Sequence, residues 1–159
     1  LMLHKALQIA QPGDVIVATV AGEWGYGYWG ELMSVSGMAK GVGGLAIDGC
    51  IRDSREIIQV GFPVFCRGFA IRGTKKDTLG LINYPTVFGG VTVSPGDLVI
   101  GDDDGIVVVR LHECCSVLEK ARQRAKSEEG KAAVLKTGVS SVELNGLDKV
   151  FAALGLVEE

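Results

Sequence analysis

Basic residues are in short supply in this chain: 16 Lys and Arg stand against 19 Asp and Glu, a formal net charge of −3 over 159 residues. A broad positive field of the kind that holds nucleic acid without sequence preference is therefore excluded. Long apolar runs are also missing. None approaches the length of a membrane span, and no basic-then-apolar signal segment opens the chain. The four cysteines, Cys50, Cys66, Cys114 and Cys115, lack CxxC or zinc-ligand spacing. Cys114 and Cys115 are adjacent, a poor geometry for a bridge between them. A reduced, cytoplasmic protein with no membrane or nucleic-acid partner is the simplest expectation.

Glycine, by contrast, is plentiful: 23 residues, spread along the chain without a repeat. That distribution points to tight turns and close backbone approaches rather than to a flexible linker. Met2, Leu3, Ala6, Leu7 and Ala10 fall near helical spacing. Pro12-Gly13-Asp14 then marks a turn before the apolar run Val15 to Ala21, which reads as a buried strand. A loop rich in glycine and aromatics, Gly22 to Gly30, leads into a helix over Glu31 to Lys40, closed by Gly41. Leu45 to Ile47 reads as a second buried strand ending in an Asp48-Gly49 turn. A short helix after Arg52-Asp53 stops at Gly61, and a strand surrounds Val64 to Cys66. Further on, Pro95-Gly96-Asp97 precedes a hairpin, Leu98 to Ile100 with Ile106 to Val109. A long helix follows over roughly His112 to Lys136. Strands alternating with helices, then hairpins, then a helix predict a mixed α/β domain. No domain boundary is expected within 1–159. The tail, 137–159, carries a short helix over Leu147 to Leu154.

Several constellations compete for chemistry. Asp102-Asp103-Asp104 between glycines has the charge for a hard cation, but the better reading is a polar hairpin turn. Gly25, Gly27 and Gly30 match GxGxxG after a strand and before a helix, a weak nucleotide signal that no suitably placed acid supports. The physical content survives without a nucleotide, because backbone N–H groups at that helix start can face a small carboxylate. His4 reads as packed or exposed rather than ligating, and His112 as lying near the start of the long helix. Trp24, Tyr26, Tyr28 and Trp29 read as loop and interface packing, with one of them a wall for a pocket.

The distributed signal is stronger. Glu31 opens the first long helix, and Arg52-Asp53 opens the next, with twenty residues between Glu31 and Arg52. Both lie where a strand hands over to a helix, the edge at which open α/β sheets place ligands. Arg52 can clamp a carboxylate or carbonyl with two parallel donors, and Asp53 can ligate a divalent cation. On spacing alone, a helix cap with a surface ion pair stands slightly ahead of that reading. Glu128 adds a separate signal. With Leu118, Ala121, Ala125, Ala132 and Leu135 it falls on one helical stripe, where a carboxylate is costly without a partner. The alternative is that Gly130 weakens the helix and lets Glu128 reach water.

The runs Gly30-Glu31-Leu32-Met33, Ile47 to Glu56, Gly61 to Phe65 and Gly90 to Gly105 together resemble the 4-hydroxy-4-methyl-2-oxoglutarate aldolases. That family is RraA-like and also includes the regulators of ribonuclease E activity. An acidic residue, twenty intervening residues, then Arg-Asp is the aldolases' pattern, with Glu31 in the acidic place. The resemblance covers nearly the whole chain and implies that part of the family's N-terminal region lies before Leu1. It implies an α/β fold with a mixed β-sheet, a barrel-like core and flanking helices, of the swivelling-domain type.

For function, the resemblance implies a carbon–carbon lyase that releases pyruvate from 4-hydroxy-4-methyl-2-oxoglutarate or 4-carboxy-4-hydroxy-2-oxoadipate, with oxaloacetate decarboxylation as a companion activity. Asp53 would hold Mg²⁺ or Mn²⁺ in a water-rich shell, and Arg52 would bind the oxo-acid end of the substrate. The amides of Leu32 and Met33, beside Gly30, would receive its carboxylate. Glu31 would orient the water that acts as base. Glu128 would approach the metal of an adjacent subunit through water, in a homotrimer or homohexamer. Two other readings compete: a non-catalytic binder that regulates a ribonuclease, and a methyltransferase, which the glycine loop does not support.

Overall fold

The computed structural model describes residues 1–156. The chain divides into two compact units, one from Leu1 to Leu111 and one beginning at His112. No shift of composition announces this division.

In the first unit, helix α1 (Met2–Ile9) precedes a three-stranded parallel sheet built from β1 (Val15–Thr19), β2 (Gly44–Ile51) and β3 (Val64–Phe69). Helix α2 (Glu31–Ala39) lies on the connection from β1 to β2, and α3 (Ser54–Val60) on the connection from β2 to β3. Strand β2 is the centre of the sheet and is buried along nearly its whole length. Its apolar composition follows from that position, since a central parallel strand is covered on both faces. Leu45, Ile47 and Ile51 form the core with Ile57 of α3, Phe62, Trp29, Val42, Ile16 and Leu7. Trp29 stacks on Phe62 with ring centres 5.7 Å apart. Gly37 of α2 is pressed against the same phenylalanine, so that an added Cβ would lie 2.7 Å from its ring.

Two antiparallel hairpins complete the unit: β4 (Thr86–Phe88) with β5 (Val91–Val93), and β6 (Leu98–Asp102) with β7 (Gly105–Val109). The first turns through Gly89 and Gly90, both at positive φ, the conformation that a two-residue hairpin demands. A contact of 3.1 Å between the hydroxyls of Thr19 and Thr86 ties β4 to β1. In the second hairpin the Asp104 amide donates to Asp102 Oδ1 within the turn, as the polar-turn reading of this acidic run expects. Asp97, in the turn before β6, accepts from the Ser94 and Leu111 amides and from Arg110 Nη1.

In the second unit, α4 (Cys114–Leu135) follows a 3₁₀ turn at Leu111–Glu113, so the α-helix starts two residues after the expected His112. Helices α5 (Ser141–Asn145) and α6 (Asp148–Ala153) come next. Ser140 caps α5 by accepting the Glu143 amide at 3.0 Å, and Gly146 closes it in the left-handed region. The helix expected near Leu147 to Leu154 corresponds to α6, while α5 has no counterpart in the sequence reading.

The fold is thus mixed α/β with flanking helices, but the expected barrel-like core takes the form of three separate sheets, none of them closed among the described residues. A second correction bears on function. Asp48-Gly49 is no turn: β2 continues to Ile51 and absorbs an irregularity of register between Ile47 and Cys50. Pairing of Asp48 with Thr19 of β1, and of Cys50 and Ile51 with β3 beyond it, outweighs the local turn preference of Asp-Gly, and Arg52 follows the last residue of the central strand directly.

Candidate active site

The glycine- and aromatic-rich loop closes over the end of β2. The amides of Gly27, Tyr28 and Arg52 donate to the carbonyls of Arg72, Cys50 and Trp29 at 2.8, 2.9 and 2.9 Å. Trp29 anchors the loop from below: it is 1% exposed, and its indole N–H donates to Ser34 Oγ at 2.8 Å. From Trp29 the chain passes through Gly30 into α2, so the buried indole sets where that helix begins.

Asp53 occupies the left-handed region at φ 57°, ψ 38°, a conformation that costs most residues energy and that aspartate tolerates better than most. It is the residue before α3, yet its side chain does not cap that helix. Its Oδ2 instead accepts the Glu31 amide, the first of α2, at 3.1 Å. The Arg52 guanidinium lies beside the same oxygen, Nε to Oδ2 3.7 Å. The simple helix-cap reading of Arg52-Asp53 therefore fails, although the ion pair between neighbours is real. Gly30 makes this meeting feasible, since a side chain there would collide with the Asp53 carboxylate.

Arg52, Asp53, Gly30 and the start of α2 are thus brought together, and Glu31 sits half-buried beside them. Leu32 is exposed and Met33 half-buried. Their amides belong to the first helical turn, where no carbonyl four residues back can accept them. The Arg52 and Asp53 side chains are 49% and 41% exposed. This is an open site that a small anion can reach, with the Arg52 guanidinium, the Asp53 carboxylate, Glu31 and a helix N-terminus.

Among the described residues, no three His, Cys, Asp or Glu side chains gather as a metal cage. A half-exposed carboxylate of this kind suits a magnesium-like ion, which keeps several waters and takes one or two protein carboxylates. Asp53 is the residue that would hold it.

Glu128 belongs to the second unit. Within the single chain it is exposed, and its Oε1 accepts from Arg124 Nε at 2.7 Å. The expectation of burial is therefore not met within one chain, because the arginine one turn earlier supplies a partner at the surface. His4 and His112 are both exposed.

Sequence reasoning missed a second charged group. Asp48 on β2 pairs with Arg67 on β3, and the Arg67 guanidinium lies 4.6 Å from the centre of the Trp24 ring. The hydrogen bond from Arg67 holds the Asp48 carboxyl below its ordinary value. Arg72 lies over Tyr26 in the same manner, at 5.2 Å. Two arginines thus pin the aromatic loop. A signal for the first pair was available, but reading Asp48 as a turn residue removed it from the sheet. A cavity of about 980 Å³ in the first unit is lined by His4, Thr19, Tyr28, Lys75, Tyr84 and Asp97 among others, and by neither Arg52 nor Asp53.

Comparisons with known proteins agree with this architecture. A protein of Halalkalibacterium halodurans, provisionally named a 4-hydroxy-4-methyl-2-oxoglutarate aldolase, is 39% identical over 144 residues, covering 89% of this chain and 68% of its own length. An uncharacterised protein of Methanocaldococcus jannaschii is 40% identical over 128 residues, and there the chain spans 61% of the relative's length. Among solved structures, an uncharacterised Pseudomonas syringae protein superposes with a TM-score of 0.82 at 29% identity, covering 87% of this chain and 70% of that one. Streptomyces coelicolor RraAS2, described as an unusual member of the RNase ES inhibitor RraA family, superposes with a TM-score of 0.73 at 33% identity, covering 80% and 65%. The RraA-like family model, Aldolase/RraA, matches residues 1–108, which hold the parallel sheet, the aromatic loop and the Arg52-Asp53 junction. The chain belongs to the RraA-like Aldolase/RraA family.

Proposed function

We propose that this chain is a divalent-metal-dependent pyruvate aldolase acting on a 4-hydroxy-2-oxo acid, with 4-hydroxy-4-methyl-2-oxoglutarate or 4-carboxy-4-hydroxy-2-oxoadipate as substrate. The observation that carries the reading is the convergence of Arg52, Asp53 and the N-terminus of α2. The aldolase names of relatives support it.

Arg52 binds the 2-oxo-acid end through its planar fork, and the Leu32 and Met33 amides take the carboxylate. Glu31 orients a water that removes the proton from the C4 hydroxyl. The C3–C4 bond then breaks: C4 becomes the carbonyl of the second oxo acid, and the electron pair passes to the C2–C3 half, which gains a proton at C3 to give pyruvate. A Mg²⁺ or Mn²⁺ at Asp53 supplies, when bound, positive charge for the oxygen that becomes anionic. Oxaloacetate decarboxylation leaves the same three-carbon fragment, and we propose it as a side activity.

The site is proposed to be completed by a neighbouring copy in a trimer or hexamer, with Glu128 of that copy reaching the metal through water. Leu118 and Leu135 of α4 are 51% and 40% exposed in the single chain, apolar surface that a second copy would cover.

The test is pyruvate release from a panel of 4-hydroxy-2-oxo diacids and oxaloacetate, with and without Mg²⁺. Chelator should abolish turnover, and Asp53→Ala should lose it while remaining folded by circular dichroism. Full activity after chelation would sink the metal mechanism. The likeness to RraAS2 favours a second reading, a non-catalytic regulator of a ribonuclease. That reading gains if the panel yields no pyruvate while the protein slows RNA cleavage by a purified ribonuclease E.

A further inference from the structure

The Arg52 side chain runs between three glycines from two segments. A Cβ on Gly27 would lie 2.9 Å from Arg52 Cβ, one on Gly30 would lie 3.2 Å from Nε, and one on Gly73 would lie 3.5 Å from Nη1. Gly27 and Gly73 are paired as a parallel bridge, so both segments are held over the arginine by backbone bonding.

The three positions differ in what requires the glycine. At Gly27 an added carbon would collide with the Ala70 carbonyl, and at Gly30 with the Asp53 carboxylate. At Gly27 the obstacle is backbone, and at Gly30 it is the carboxylate of the site itself. Gly73 has no such requirement. Its φ lies outside the left-handed region. Apart from its chain neighbours, a Cβ there would meet Arg52 Nη1 at ordinary van der Waals distance and no other described atom within 4 Å. Gly73 is also exposed. A side chain at 73 would therefore fit the fold and project into open space at the tip of the guanidinium, the volume that a bound oxo acid would need.

We propose that Gly73 is a specificity-determining residue: its missing side chain keeps open the face of Arg52 on which the oxo-acid end of the substrate sits. This inference rests on the aldolase reading of the site. It predicts a loss graded by side-chain size; one methylene changes discrimination by about ten- to two-hundred-fold in an enclosed apolar pocket, so an open polar site stands at the low end of that range.

The test compares wild type, Gly73→Ala and Gly73→Val for pyruvate release from 4-hydroxy-4-methyl-2-oxoglutarate with Mg²⁺, alongside unfolding midpoints. The expected result is a KM raised about tenfold by Ala and further by Val, with kcat largely retained and the midpoints unchanged. Arg52→Lys should cost less in the Gly73→Val background than in wild type, because both changes act on one contact. Wild-type KM in both variants would overturn the inference and leave the aldolase reading intact. A parallel fall of kcat and unfolding midpoint in both would reduce Gly73 to a structural glycine. If wild type itself releases no pyruvate, the aldolase reading fails and takes this inference with it.

Discussion

At the scale of single residues, Arg52 and Asp53 divide the work by chemistry. The carboxylate is held by the Glu31 amide and lies beside the guanidinium, with about half of each side chain open to solvent. At that exposure their mutual attraction contributes little stability, so their placement reflects what they face rather than the strength of the pair. Arginine offers parallel donors in a plane, whereas lysine offers a compact point charge. Arg52→Lys should therefore lower kcat/KM at least about tenfold, equivalent to ~1.4 kcal/mol, with little change in the unfolding midpoint. Steady-state kinetics on the preferred substrate checks this, and near-normal values would remove Arg52 from the site.

At the scale of elements, the site depends on where α2 and α3 begin. Trp29 fixes the first by burying its ring against Phe62 and bonding Ser34 of α2, while its carbonyl accepts the Arg52 amide. One side chain thereby sets the relative position of the aromatic loop, α2 and the end of β2. Trp29→Ala should destabilise the fold by about 3–5 kcal/mol, the usual cost of deleting a buried large aromatic. Trp29→Phe should cost less, because it keeps ring packing and loses the bond to Ser34. Urea unfolding of the two variants measures this, and equal losses would mean that the ring contributes nothing beyond the hydrogen bond. The glycine-rich loop itself was legible as a loop ahead of a helix. That it lies across the end of β2 was not, because its backbone partners, Cys50 and Arg72, are distant in sequence.

At the scale of the molecule, the proposed assembly makes a prediction that a single chain cannot meet. Glu128, paired with Arg124 at the surface, is available to a neighbouring copy at small cost, since an exposed i, i+4 ion pair is worth only a few tenths of a kcal/mol. Glu128→Ala should impair catalysis more than folding. Mixing inactive Asp53→Ala subunits with Glu128→Ala subunits should restore part of the activity, because some interfaces then hold both acids. Head-to-tail contacts of this kind close into a ring when the rotation from copy to copy returns to the first. A fully active monomer in sedimentation, or no rescue despite demonstrated subunit exchange, would count against a shared site.

The sequence by itself determined the class of fold, the alternation of strands and helices up to β3, the β6–β7 hairpin and the pattern that places Glu31 twenty residues before Arg52-Asp53. These depend on local periodicity, turn residues and spacing, which act over short stretches of chain. Only the tertiary structure decided the rest. β2 runs through Asp48 and Gly49 because pairing with β1 at Asp48 and with β3 from Cys50 onward overrides their turn preference. Asp53 turns away from its own helix because α2 presents an amide to it across the Gly30 gap. Arg67 finds Asp48 and Trp24 only when the sheet sets two strands side by side. Such contacts join residues far apart in the chain, and no window of sequence contains both partners.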